Sequence, residues 1–149
     1  MSNLTFKARI SNRDDARAYV GARESRELCY ETRVHNDAGT VYVTHHGNQI
    51  AHYRPRHDVI VELGNAGWNT RTTAARLDRL MRDALDRVDV LDRRRFSGYT
   101  HNYGIGITRG LMVLRVFSDN PAARRVEEHV IGDGTVCVMD DGYVYVKGA

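Results

Sequence analysis

Apolar and polar residues alternate in short runs along most of this chain, and one long stretch switches to a helical period. Leu4–Ile10 reads as an opening strand. Asn12, followed three residues later by Asp15, is a helix N-cap leading into Ala16, Tyr19, Val20 and Arg23. Leu28–Val34 is predicted to be extended, ending at the turn residues Asn36-Asp37-Ala38-Gly39.

The clearest β pattern is Thr40–His46, then Gly47-Asn48, then Gln49–Arg54, and a Gly-Asn pair suits a type II′ turn. That turn sets His46 against Gln49. Val41, Val43, His45, Ile50 and His52 then share one face, and Tyr42, Thr44, Ala51 and Tyr53 the other. Pro55 interrupts the ladder before Asp58–Leu63, a strand with Val59, Val61 and Leu63 on one side.

Beyond the Gly64-Asn65-Ala66-Gly67 bend, Thr70, Thr72 or Thr73 can cap a helix. Its apolar positions Leu77, Leu80, Met81, Ala84, Leu85 and Val88 follow the spacing of one helical face. Asp78 with Arg82 and Asp83 with Arg87 are acid-first pairs on its predicted solvent side. Asp89–Gly98 is a charged connector. Tyr103–Thr108 and Leu111–Phe117 form a hairpin around Arg109-Gly110, with Ile105, Ile107, Met112 and Leu114 on one face. Asn120 and Pro121 start a third helix running through His129 and closed by Gly132. Thr135–Met139 and Tyr143–Lys147 make a last hairpin around Asp141-Gly142. The expected architecture is α+β, one domain over residues 1–149, with three helices and about nine mostly antiparallel strands.

A chain of 149 residues with 42% hydrophobic content can fill one core. Cys29 and Cys137 lie far apart beside apolar or aromatic neighbours, the context of buried free thiols in a reducing compartment. No apolar run is long enough to span a bilayer, and Met1–Lys7 lacks the apolar block of a signal peptide, so a cytoplasmic protein without membrane partners is expected. The formal charge is +3, concentrated in residues 66–96, where eight basic residues meet five acidic ones. Of the 22 basic residues 20 are arginine, spread along the whole chain as a genomic bias would spread them.

None of the familiar catalytic constellations is complete, and the reading leans away from an enzyme and implies no cofactor. There is no serine in a nucleophile elbow and no cysteine with a histidine near it in sequence. His45 and His52 fall diagonally on one predicted hairpin face, but zinc needs at least a third ligand, and His57 would have to reach back past Pro55. No metal site is predicted. Gly104-Ile105-Gly106 lies within a hairpin strand, without the strand-to-helix turn that a phosphate loop uses; it reads as a bare patch that a helix, a ring or a partner can approach. Arg87, Arg93, Arg94 and Arg95 with Tyr99 could contact the phosphates and bases of a nucleic acid, although Asp83, Asp86, Asp89 and Asp92 are interleaved with them.

The remaining candidate is Trp68, Asn69, Thr70, Arg71, Thr72 and Thr73 with Arg76, at a helix start where backbone N–H groups lack partners. A small anion could bind there, against Trp68 as a flat surface. Equally, the threonines could cap the helix while Trp68 plugs the core.

In this tract the chain resembles a group of small accessory proteins of tailed bacteriophages. The residues that carry the likeness are His46-Gly47-Asn48-Gln49-Ile50-Ala51, Gly67–Thr73, Arg76-Leu77 and the Tyr103–Phe117 hairpin, about half of the chain. The resemblance implies origin and names no reaction. It suggests action by binding in the host cytoplasm, for instance sequestering a small anionic nucleotide signal, by a protein expected to be a homo-oligomer. Nucleic-acid binding through the arginine-rich connector and a structural or host-protein-binding role are the alternatives.

Overall fold

A computed structural model describes residues 5–55, 58–86, 88, 101–118 and 126–148. In chain order the elements are α1 (Arg13–Val20), β1 (Ser25–Cys29), β2 (Thr32–Asp37), β3 (Thr40–His45), β4 (Asn48–Tyr53), β5 (Val59–Leu63), α2 (Arg71–Leu85), β6 (His101–Thr108), β7 (Leu111–Ser118), β8 (Glu127–Val130), β9 (Thr135–Met139) and β10 (Val144–Lys147). Seven strands form one sheet in the order β1-β2-β3-β4-β5-β9-β10, and β6-β7-β8 form a second. The fold is α+β, and every described strand pair is antiparallel.

Both helices lie against the large sheet, whose inner face carries the buried Val34, Val41, Val43, Tyr53, Leu63 and Val136. The apolar stripe read for α2 is buried in full, from Leu77 to Val88. This helix joins the sheets, packing on β5 and β9 of one and on β6 of the other. At β6 the Asp78 carboxylate accepts the Ile105 N–H at 2.9 Å, and the same carboxylate receives Arg82 Nε at 2.8 Å. The glycine patch is therefore occupied from within the chain. Asp78 lies over Gly104, and the Arg115 guanidinium lies over Gly106 so closely that a side chain there would collide with it.

Five expectations change. Residues 5–12 form no strand: Lys7 N reaches Leu28 O, but the next main-chain donor, Ile10 N, goes to the Asp83 side chain. Asp83 is thus buried, not solvent-facing, and it pairs with Arg79; Arg87 lies outside the described residues. The single extended run through Leu28–Val34 is two strands folded back at Tyr30-Glu31, where Glu31 takes φ 57°. Among the described residues there are two helices, because Glu127–Val130 pairs as a strand with Val113–Val116. The Asn120-Pro121 start of the expected third helix lies outside them.

The fifth change concerns the β3–β4 register. The turn is His46-Gly47, with φ 51° and 78°, the two positive values of a type I′ turn. A bulge at Ile50 then sets Val43 against Ala51, Tyr42 against His52 and Val41 against Tyr53. Tyr53 and Ala51 enter the core and His52 leaves it, so His45 and His52 are on opposite faces.

Candidate ligand-binding site

At the start of α2 the approach is built around Asn65. Its Oδ1 accepts Gly67 N at 2.8 Å, and its Nδ2 donates to Asn69 Oδ1 and Gly132 O at 3.2 and 3.1 Å. The resulting bend turns Trp68 outward, 52% exposed, so Trp68 does not plug the core. Thr70 is the N-cap: its hydroxyl accepts Thr73 N at 3.2 Å and donates to Thr73 Oγ1 at 3.0 Å. Arg71 and Thr72 stand at the surface.

Arg76 goes the other way. With 0% exposure, it sends Nε to Thr32 Oγ1 at 3.1 Å and Nη2 to Tyr30 O at 3.4 Å, while Nη1 is buried without a hydrogen-bond partner among the described residues. The seven residues read as one corner are therefore divided. Trp68, Arg71 and Thr72 face solvent, Thr70 and Thr73 satisfy each other, and Arg76 is a core residue behind the sheet. Arg71 and Arg76 do not converge.

The outer face of the large sheet holds a different constellation. Its register places Ser25, His35, Tyr42, His52, Glu62, Cys137 and Tyr145 side by side in one row across all seven strands. Every member carries a polar or titratable group. His35 and Tyr42 stack with ring centroids 4.6 Å apart and planes 2° from parallel. Glu62 receives Arg54 at 2.7 Å and has His52 Nδ1 at 3.9 Å.

Over the β1–β4 part of this row opens a groove of about 680 Å³, lined among others by Tyr30, Arg33, His35, Tyr42, Thr44 and Gln49. His35 Nε2 lies 2.8 Å from Thr44 Oγ1, which fixes the imidazole in its stack. Burial, then the Arg33 guanidinium, push the His35 pKa down against the pull of Asp37, so the ring is neutral at physiological pH. Arg33 forks onto Ser25 Oγ through Nε and Nη2 at 3.2 and 3.0 Å and remains exposed. Of the groove's two acids, Glu27 lies 3.6 Å from Lys7, and Glu31 lies 3.7 Å from His46, a counter-charge only when its imidazole is protonated. The site offers a flat ring pair, a positioned cation and a set of hydroxyl and amide groups.

Sequence reasoning missed this groove, although the β2–β3 turn at Ala38-Gly39 fixes the register that brings His35 to Tyr42. Among the described residues no three histidine, cysteine or acidic groups converge as a metal needs. Arg87, Arg93, Arg94, Arg95 and Tyr99 lie outside the described residues, as does His57. No described helix is long and apolar enough to cross a membrane.

The family model described as Kyanoviridae Gp96 protein matches residues 11–109. The chain belongs to this bacteriophage family. The matched span of the family runs from the cap of α1 to the β6–β7 turn, and so contains both the Trp68 corner and the whole β1–β4 groove. No curated protein and no solved structure matches the chain.

Proposed function

We propose that this phage protein is an accessory binding protein that holds a small anionic, nucleotide-like ligand in the β1–β4 groove. The observation that carries the reading is the parallel His35–Tyr42 ring pair beside the exposed Arg33 guanidinium. Planar heterocycles stack on such rings, and a guanidinium held in place by Ser25 has further N–H groups to give to a phosphate. Held without turnover, a host-derived nucleotide signal would be sequestered, the role suited to an accessory protein that counters host defence. A groove of about 680 Å³ is the size of ordinary small-molecule sites.

Thermal denaturation against a broad panel of mono-, di- and cyclic nucleotides tests this. A ligand at about a hundred times its Kd stabilises a domain of this size by enough to raise Tm by roughly 5–10 °C. That shift is expected for at least one ligand, and its loss in Arg33→Ala. Flat curves across the panel overturn the reading.

A further inference from the structure

β10 ends the seven-stranded sheet, and among the described residues no strand pairs with its outer edge. Met139 N donates to Tyr143 O at 2.8 Å, so 143 with 139 is a hydrogen-bonded pair, and the antiparallel alternation makes 145 with 137 and 147 with 135 the next two. The N–H and C=O groups of Val144 and Val146 therefore point away from β9, across the free edge. The edge of β6 is treated differently: α2 covers it, and Asp78 takes the Ile105 N–H. Natural sheets blunt exposed edges with lysine, proline or bulges. Along β10 the only such device is Lys147 at its end, and Val144-Tyr145-Val146 is a sequence of strand formers.

This edge opens into a cleft of about 290 Å³ between the two sheets. Val144, Tyr145 and Val146 line it from β10 with Tyr143 just before the strand, and Tyr103 and Val116 line it from the small sheet. Tyr143 and Tyr145 stack with centroids 5.7 Å apart. Glu127 and His129 contribute from β8, and their exposed side chains meet at 3.5 Å. An imidazole gives that carboxylate a full counter-charge only when protonated, whereas a lysine or arginine supplies one at any physiological pH.

We propose that the β10 edge binds an extended peptide of a partner protein as an added strand, with apolar residues at alternate positions and a basic residue beside Glu127. Main-chain bonds to Val144 and Val146 would hold the peptide. Its side chains would alternate between the tyrosine pair and the interior of the cleft, which sets the sequence pattern it needs.

A terminally blocked Lys-Val-Arg-Val-Lys-Val hexapeptide is the probe, with amide resonances and hydrogen exchange of the full chain as readout. The Val144 and Val146 amides are expected to shift and become protected, and neighbouring Tyr145 to change less, because its N–H already faces β9. The same peptide N-methylated at alternate residues loses the main-chain donors. It should bind about tenfold or more weakly, as should the parent peptide to Val146→Pro, which removes one outward N–H where an edge tolerates proline. No shift at Val144 or Val146 with the peptide at millimolar concentration overturns the proposal. So does equal binding of the methylated peptide, a result that stands even if Val146→Pro does not fold. A concentration-dependent doubling of mass that Val146→Pro abolishes would assign the edge to a second copy of this chain and overturn the peptide reading.

Discussion

Arg76 Nε donates to Thr32 Oγ1 at 3.1 Å, so a fully buried guanidinium on α2 is bonded to the inner face of a strand 44 residues earlier. Thr32 Oγ1 is also 3.0 Å from His45 Nδ1 and 3.3 Å from Tyr30 O. Thr32 accepts from Arg76 and donates to Tyr30 O, so one hydroxyl joins the helix, the turn and the His45 ring in a single buried cluster. From behind the sheet these bonds fix the Tyr30-Glu31 turn that edges the groove.

Among the described residues one nitrogen of the buried guanidinium has no hydrogen-bond partner, which bears on what replacing it costs. Arg76→Ala opens a cavity and strands Thr32 and Tyr30 O, and is expected to lose roughly 3 kcal/mol. Arg76→Met removes the same two bonds but fills the space and takes away the buried charge, so it should lose less than the alanine variant and lie within about 1 kcal/mol of the parent. Urea denaturation of both variants checks the order; equal losses would refute it.

His45 sets an acid limit. Burial first, then His46 and Arg76, hold its pKa below the ordinary 6.5, outweighing Glu31. The unfolded chain therefore binds this proton more readily. Stability is complete above about pH 6.5 and drains away as pH falls through that value toward the folded-state pKa. His35, shifted the same way, adds to the loss. His45→Asn places an amide oxygen near Nδ1 and cannot take up the proton, so its Tm should fall less between pH 7 and pH 5 than that of the parent.

Asp83 titrates in the opposite sense. Burial raises its pKa against the bonds from Arg79 and Ile10 N, so its contribution is greatest below the usual carboxylate range and fades as pH rises through the folded-state value. Asp83→Asn keeps an acceptor for Ile10 N and removes the buried charge. Relative to the parent it should gain stability from pH 4 to pH 7, whereas Asp83→Ala, which strands Ile10 N, should lose roughly 2 kcal/mol at neutral pH. Parallel denaturation curves at both pH values decide this.

Thr70 and Thr72 are close in sequence and different in role. Thr70→Ala removes the α2 cap and should cost about 1 kcal/mol, while exposed Thr72→Ala should change stability by less than about 0.5 kcal/mol. Calorimetry on the two variants is sufficient.

The Trp68 corner and the groove make opposite predictions for one ligand. If the groove is the site, Tyr42→Ala weakens nucleotide binding by roughly tenfold or more, the value of a lost stacking partner, and Trp68→Ala leaves it unchanged. Calorimetric titration of both variants measures the pair, and the reverse order would return the ligand to the helix start.

Legibility in the sequence followed the range of the interactions. The buried stripe of α2 and the β6–β7 face of Ile105, Met112 and Leu114 could be read directly, since a helix or a hairpin sets its own period. The His46-Gly47 turn was misplaced by one residue, because Gly47 permits turns that begin at either position and the Ile50 bulge compensates only when Tyr53 is needed in the core. Glu127–Val130 carries two acids, a histidine and one valine, no strand pattern of its own; the open edge of β7 makes it one. Arg76 looked like a surface cation because its spacing on the helix does not reveal that Thr32 and Tyr30 O wait opposite.

The sequence by itself determined much of the local structure: the helices α1 and α2, where most hairpins turn and which stripe of α2 is buried, and its family resemblance pointed to a bacteriophage origin. These rest on local periods and caps. Tertiary structure decided which side chains meet. The row from Ser25 to Tyr145 spans the whole chain, and its members become neighbours only because each strand's register, bulges included, is set by what the opposite face of the sheet must bury.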